Sequence, residues 1–260
     1  MGGAEVLALK LILTPLLVGG ASLIARRWGS AVGGWVVGIP FTSGPVTLFI
    51  ALSHGAHFAA AVATGIMAGT ASQVAFALGY SWCARRWGWR VCLAVATIAF
   101  GVLTGALLGF STGPLVTFAF AMASISVAFA ILPRPRAFTP ARNALPAWDI
   151  PARMLVATCL VIALTEGAAL LGPRLAGLLA PFPLYAAVLS VFSHPLNGAE
   201  PAIAVWRGLL LGLFAFAGFF LALALLLEQL GVAVAFTIAV VVAVAVQLLS
   251  LAVGRRLRIA

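Results

Sequence analysis

Residues 39–54 read IPFTSGPVTLFIALSH. The stretch is apolar enough to lie in hydrocarbon, yet it holds Pro40 and Pro45 with Thr42, Ser43 and Gly44 between them. A proline removes a backbone donor and clashes with the carbonyl four residues earlier. In a bilayer the freed groups cost several kcal/mol unless neighbouring helices or a water-lined cavity satisfy them. A hydrophobic span that interrupts itself near its middle needs a reason.

The rest of the chain defines the setting. Its 260 residues are 64% apolar and only 8% charged, with a mean hydropathy of +1.20. A soluble domain would carry roughly three times that share of charge. Apolar runs of about twenty residues, each long enough to cross about 30 Å of hydrocarbon, predict an all-α, polytopic membrane helix bundle. About nine spans result: 4–25, 31–53, 56–81, 91–110, 113–132, 152–171, 174–194, 199–229 and 232–253. The N-terminus has no basic n-region or small-residue cleavage site, so the first run is expected to stay as a span. The long connection, PRPRAFTPARNALPAWDIP at 133–151, reads as a basic surface linker.

The net charge of +10 does not point to nucleic acid, because the basic residues cluster between spans. Arg26 and Arg27 follow span one, Arg85, Arg86 and Arg90 span three, Arg134, Arg136 and Arg142 span five, and Arg255, Arg256 and Arg258 span nine. The turns SHGA, FSTG and EQLG after spans two, four and eight have no Lys or Arg. The excess of positive charge on cytoplasmic loops then puts the N-terminus outside and the C-terminus inside, with Arg174 outvoted. Trp28, Trp82, Trp87, Trp89 and Trp148 fall at span ends, where amphipathic rings suit the headgroup level. The expected location is the bacterial cytoplasmic (inner) membrane, multi-pass, with the lipid bilayer as partner and a homo-oligomer permitted. Cys83, Cys92 and Cys159 are scattered and read as packing residues. No metal and no cofactor is expected.

The interruption at Pro40 has a near copy. GGWVVGIPFTSGPVTLFIALSH matches RLAGLLAPFPLYAAVLSVFSH at three ordered anchors: Pro40-Phe41 with Pro181-Phe182, Ser53-His54 with Ser193-His194, and Gly65-x-x-x-Gly69 with Gly208-x-x-x-Gly212. Spans one to four and six to nine then form two copies, with span five left over. Two four-span units joined directly would point the same way, and one intervening helix reverses the second. Three regions follow: repeat one over 1–110, the linking helix and basic loop over 111–151, and repeat two over 152–260. Inverted-topology repeats mark secondary transporters, whose sites lie near mid-membrane where corresponding helices are broken. One proline break alone would read as an ordinary kink, whereas a matched pair favours a site.

The stretch RLAGLLAPFPLYAAVLSVFSH, followed by Trp206-Arg207-Gly208, resembles the GlpM family of small four-span bacterial membrane proteins. Members carry an apolar helix interrupted by a Pro-Phe-Pro or Phe-Pro element shortly after a basic turn. The resemblance covers copy two well and copy one only at Pro40-Phe41. It implies an envelope role, since members are linked to exopolysaccharide production. Copy one departs with Thr42-Ser43 where copy two has Pro183.

The candidate substrate-binding residues are therefore Pro40, Phe41, Thr42 and Ser43 in the first break and Pro181, Phe182, Pro183 and Tyr185 in the second. Arg207 joins them, as a guanidinium deep in span eight suited to carboxylate or phosphate. A snorkelling Arg207 on a tilted helix is the competing reading. Lys10 and Glu166 occupy repeat-equivalent spans, where a structural ion pair and a gate are both open. His54, His194 and Glu200 lie at span ends and are candidates for gating or proton coupling, although a solvated turn histidine is the commoner case. Gln73 and Gln247 sit mid-span and suit hydrogen bonds between helices. With five acidic residues and no nucleophile–base pattern, an enzyme is not expected. The leading expectation is a secondary transporter working by alternating access on an anionic or amphipathic small molecule or lipid. The alternatives are a lipid or polyprenyl-phosphate flippase and a non-transporting scaffold for an envelope polysaccharide synthase.

Overall fold

A computed structural model describes residues 3–40, 43–109, 112–136, 148–171 and 180–256, with side chains over 11–163 and 180–252 within those ranges. All regular structure among the described residues is helical. The elements are α1 (Gly3–Trp28), α2 (Ser30–Val37), α3 (Ser43–His54), α4 (Ala56–Cys83), α5 (Trp89–Leu107), α6 (Pro114–Ile131), α7 (Asp149–Leu171), α8 (Leu184–Asn197) and α9 (Ala199–Arg256). Among the described residues five helices are long and apolar enough to cross a membrane, in α1, α4, α5, α6 and α9. Their outer faces fit that role: Ile98 and Val102 on α5 and Leu115 on α6 are each about two-thirds exposed. A face so apolar would be a liability in water and is ordinary against lipid. The chain has the fold of a multi-pass membrane protein.

The expected spans carry helices, with residues 174–179 of the seventh outside the described residues and with departures at the second span and at 133–151. The second is two helices, α2 and α3, separated at the proline element. The eighth and ninth meet directly at Gly231, whose non-helical, left-handed φ of 76° turns the chain between the two helical arms that α9 spans together. The segment 133–151 does not end as a surface linker. Asp149 opens α7 and is fully buried, held by Arg153 Nε at 3.0 Å and Arg26 Nη2 at 2.9 Å. An acid in the first helical turn meets the positive end of the dipole, and an Arg four residues on lies on the same face.

Three contacts set the bundle. Helix α1 packs on α7, with Arg26 at the end of one meeting Asp149 at the start of the other and Gly19 facing Met154, so the two run antiparallel. Helix α4 packs on the first arm of α9 (199–230) and also runs against it. His57 Nδ1 lies 3.0 Å from Glu228 Oε1 at one end, and Arg85 Nε donates to Glu200 Oε1 at 3.3 Å at the other. Helix α6, the expected linking helix, lies against both α4 and α9.

Helix α2 crosses the same arm of α9 backbone to backbone. A Cβ at Gly38 would stand 2.6 Å from the Gly212 Cα, and Cβ atoms at Gly34 and Gly208 would overlap the carbonyls of Val205 and Ala31. Small residues four apart let membrane helices approach this closely. The pair Gly208 and Gly212 thus packs as a close-contact motif, with Gly34 and Gly38 as its partner. Nothing among the described residues lies within 4 Å of a Cβ built at Gly65.

Candidate functional site

The first break begins where α2 ends at Val37 and continues through Gly38, Ile39 and Pro40. Phe41 and Thr42, two of the expected site residues, lie outside the described residues. Beyond them α3 restarts, with Gly44 N donating to Pro40 O at 2.9 Å. The second break runs over Ala180, Pro181, Phe182 and Pro183 before α8. There Leu184 N donates to Phe182 O at 2.7 Å and Ala187 N to Pro183 O at 2.8 Å.

Two glutamines supply donors to backbone, one at the second break and one in the last turn of α2 before the first. Gln73, buried on α4, donates through Nε2 to Pro181 O. Gln247, buried on the second arm of α9 (232–256), donates through Nε2 to Trp35 O at 2.9 Å. A carbonyl can only accept, so both amides must turn their NH2 toward it. The Oε1 atoms of both are buried without a partner among the described residues. Ser250 adds a second tie to α2, accepting from Trp35 Nε1 at 3.0 Å. These bonds do for the interrupted backbone what water would do elsewhere.

Two spaces adjoin the breaks. A cavity of about 40 Å³ is walled by Gly38, Ile39 and Ser43 from the first break and by Ala180, Phe182 and Pro183 from the second, with Gln73 and Tyr185 between them. Its size suits a water molecule. On the far side of the first break lies an apolar groove of about 550 Å³ between α3 and the second arm of α9. Ile39 lines both. Break one is the partition between a central cavity and a groove.

The expected site residues divide accordingly. Ser43, Phe182, Pro183 and Tyr185 line the cavity, Pro40 lines the groove, and Pro181 meets Gln73. Arg207 lines neither space. It is 4% exposed, donates through Nη1 to Leu132 O at 2.9 Å, and sits 4.5 Å from the Phe129 ring centre. Its contacts hold the end of α6. The side chains of Lys10 and Glu166 lie outside the described residues, although their helices α1 and α7 pack together. His54 is exposed with its ring 5.3 Å from Phe58. His194 Nδ1 lies 3.3 Å from Tyr80 Oη. Glu200 accepts from Arg85 and, at 2.7 Å, from the Arg136 amide.

Residue typing alone passed over the contact of His57 with Glu228. A spacing could have found it. Gly55 and Gly198, which turn the chain into α4 and α9 at φ 86° and 87°, are 143 positions apart. So are His57 and Glu200, Arg85 and Glu228, and Gly88 and Gly231. Exchanging each residue for its counterpart turns the His57–Glu228 contact into Glu200–Arg85, which is the other contact. Compared with family models, with curated proteins and with solved structures, the chain matches none.

Proposed function

We propose that the protein is a secondary transporter, built from two four-span repeats of opposite topology joined by α6, that works by alternating access at the paired breaks. The observation that carries this reading is a cavity walled by both breaks at once. Interrupted backbone is tolerated at membrane depth where it is buried in protein or lines a cavity, and transporters place their sites there. The antiparallel course of α1 with α7 and of α4 with α9 supports the inversion, because equivalent helices of inverted units must oppose one another. So does the exchange symmetry of the two end contacts, His57 with Glu228 and Arg85 with Glu200.

The pairs suggest how access alternates. Arg85 and Glu200 tie α4 to α9 at one end, and His57 and Glu228 tie the same helices at the other. Opening one end breaks one tie and leaves the other as the pivot. With both ties formed, both ends of the α4–α9 pair are held, which is the state described. A scaffold would require neither a cavity between the breaks nor a groove beside them. The resemblance of 174–194 to the GlpM family favours a role in envelope biogenesis.

Single cysteines test the reading without a known substrate. With Cys83, Cys92 and Cys159 replaced by Ser, cysteines at Ser30, Gly88 and Asn197 should label from the cytoplasm and one at Gln229 from outside. Labelling of positions 30 and 229 from the same side rejects the inversion. A cysteine at Ser43, buried in the cavity wall, should react slowly in the parent and faster when Glu200→Ala or Glu228→Ala frees one end, from opposite sides in the two variants. Protection in both variants rejects alternating access.

A further inference from the structure

From the partition between cavity and groove we infer the substrate class: a lipid whose hydrocarbon chain enters sideways between α3 and the second arm of α9, and whose polar head carries no net charge. The inference rests on the transport reading and specifies what is carried.

The chain follows from where the groove opens. Its rim includes Val240, Val244 and Leu248, which are 52%, 53% and 61% exposed, and Val46 beside it on α3 is 44% exposed. On a membrane-spanning helix such side chains face acyl chains, so the groove is continuous with the lipid-facing surface. Its contents are drawn from the bilayer and not from water. Its volume of about 550 Å³ is that of a ligand pocket. Its floor is Ile39 and Pro40, the partition itself, and behind it Ser43 and Gln73 line the central cavity. A chain in the groove with its head across a displaced break would place each end of an amphipath in matching surroundings.

The head follows from charge. Among the described residues no Arg, Lys, His, Asp or Glu lines either space. The guanidinium singled out in the sequence, Arg207, is committed to Leu132 O and Phe129. A phosphate taken into that cavity would leave water with no counter-charge among the described residues, a cost of several kcal/mol. Hydroxyl or amide groups carry no such cost once hydrogen-bonded, and the cavity offers Ser43 and backbone at the two breaks.

The test uses the full chain in vesicles of phosphatidylethanolamine and phosphatidylglycerol. They are doped with a diacylglycerol or a phosphatidic acid bearing the same photoreactive chain, and the labelled peptides are mapped by mass spectrometry. Diacylglycerol should label 44–48 and 236–248 about tenfold above α5 around Ile98 and Val102, the contrast expected of a site worth about 1.4 kcal/mol. Val244→Trp, at an exposed rim position that folding tolerates, should remove that excess, and Ile98→Trp should not. Equal labelling of groove and α5 means annular lipid only and overturns the site. Phosphatidic acid labelling as strongly as diacylglycerol overturns the uncharged head. Labelling reports occupancy and the cysteines report accessibility, so either result can fail while the other stands.

Discussion

The two breaks use one sequence device and have different surroundings. Break two packs against an aromatic cluster. The Phe182 ring meets Phe76 edge-on at 5.5 Å and Phe100 at 5.2 Å, and Phe76 continues to Trp206 at 5.0 Å and Trp206 to Tyr80 at 5.5 Å. The freed carbonyl of Pro181 is itself bonded, by Gln73. Break one is held on one side only. Gly38 presses against Gly212, while Ile39 and Pro40 border the open groove. Its glutamine reaches Trp35 O, inside α2, and not a carbonyl of the break. Two similar interruptions thus differ in freedom. By these contacts break two is the better held, and the transport reading takes break one as the element that moves.

The side on which break one is held should matter most. Gly208→Val puts a branched side chain where even a Cβ would overlap Ala31 O. The crossing of α2 over α9 must separate, at a cost of at least about 3 kcal/mol. Thermal unfolding in detergent, read by size-exclusion chromatography, should show loss of the monodisperse species. An unshifted Tm would mean that break one lacks its backing. Next comes Phe182→Ala, which removes the ring that seats break two. Phe182 is only half-buried, so the cost should be about 3 kcal/mol, the low end for such a truncation. A loss under about 1 kcal/mol would erase the difference between the breaks.

The sequence announced the breaks because proline and glycine act locally, and Pro40, Pro181 and Pro183 mark them without any tertiary information. It also announced the helical, membrane-spanning class, since apolar runs decide that one by one. What depends on a partner was harder to read. Gly34 and Gly38 are spaced like Gly208 and Gly212, but nothing local says that those two pairs meet. Asp149 reads as the polar end of a basic linker until Arg26, more than a hundred residues away, is seen beside it. Arg207 has the chemistry of an anion site, and only the position of Leu132 shows where it is spent. Residue type gives what a group can do; its neighbour decides what it does.

The smallest predicted effects make the sharpest comparison, because they set one glutamine against the other. Gln73→Leu removes the donor to Pro181 O and leaves a buried carbonyl without that bond. Interhelical hydrogen bonds in membranes average about 0.6 kcal/mol and reach about 1.7. Burial of the acceptor puts Gln73 in the upper part of that range, about 1–2 kcal/mol. Gln247→Leu removes the donor to Trp35 O, but that carbonyl still accepts from Gly38 N at 3.3 Å. Its cost should stay near or below about 0.6 kcal/mol, and a leucine there extends the apolar wall of the groove. The two variants should also differ in kind. Gln247→Leu loosens the moving break, so a cysteine at Ser43 should react faster with little change in Tm. Gln73→Leu loosens the fixed one, so Tm should fall while reactivity at position 43 changes less. The reverse ordering in both measurements would make break two the mobile element, and the lipid would then have to enter from the side of α8.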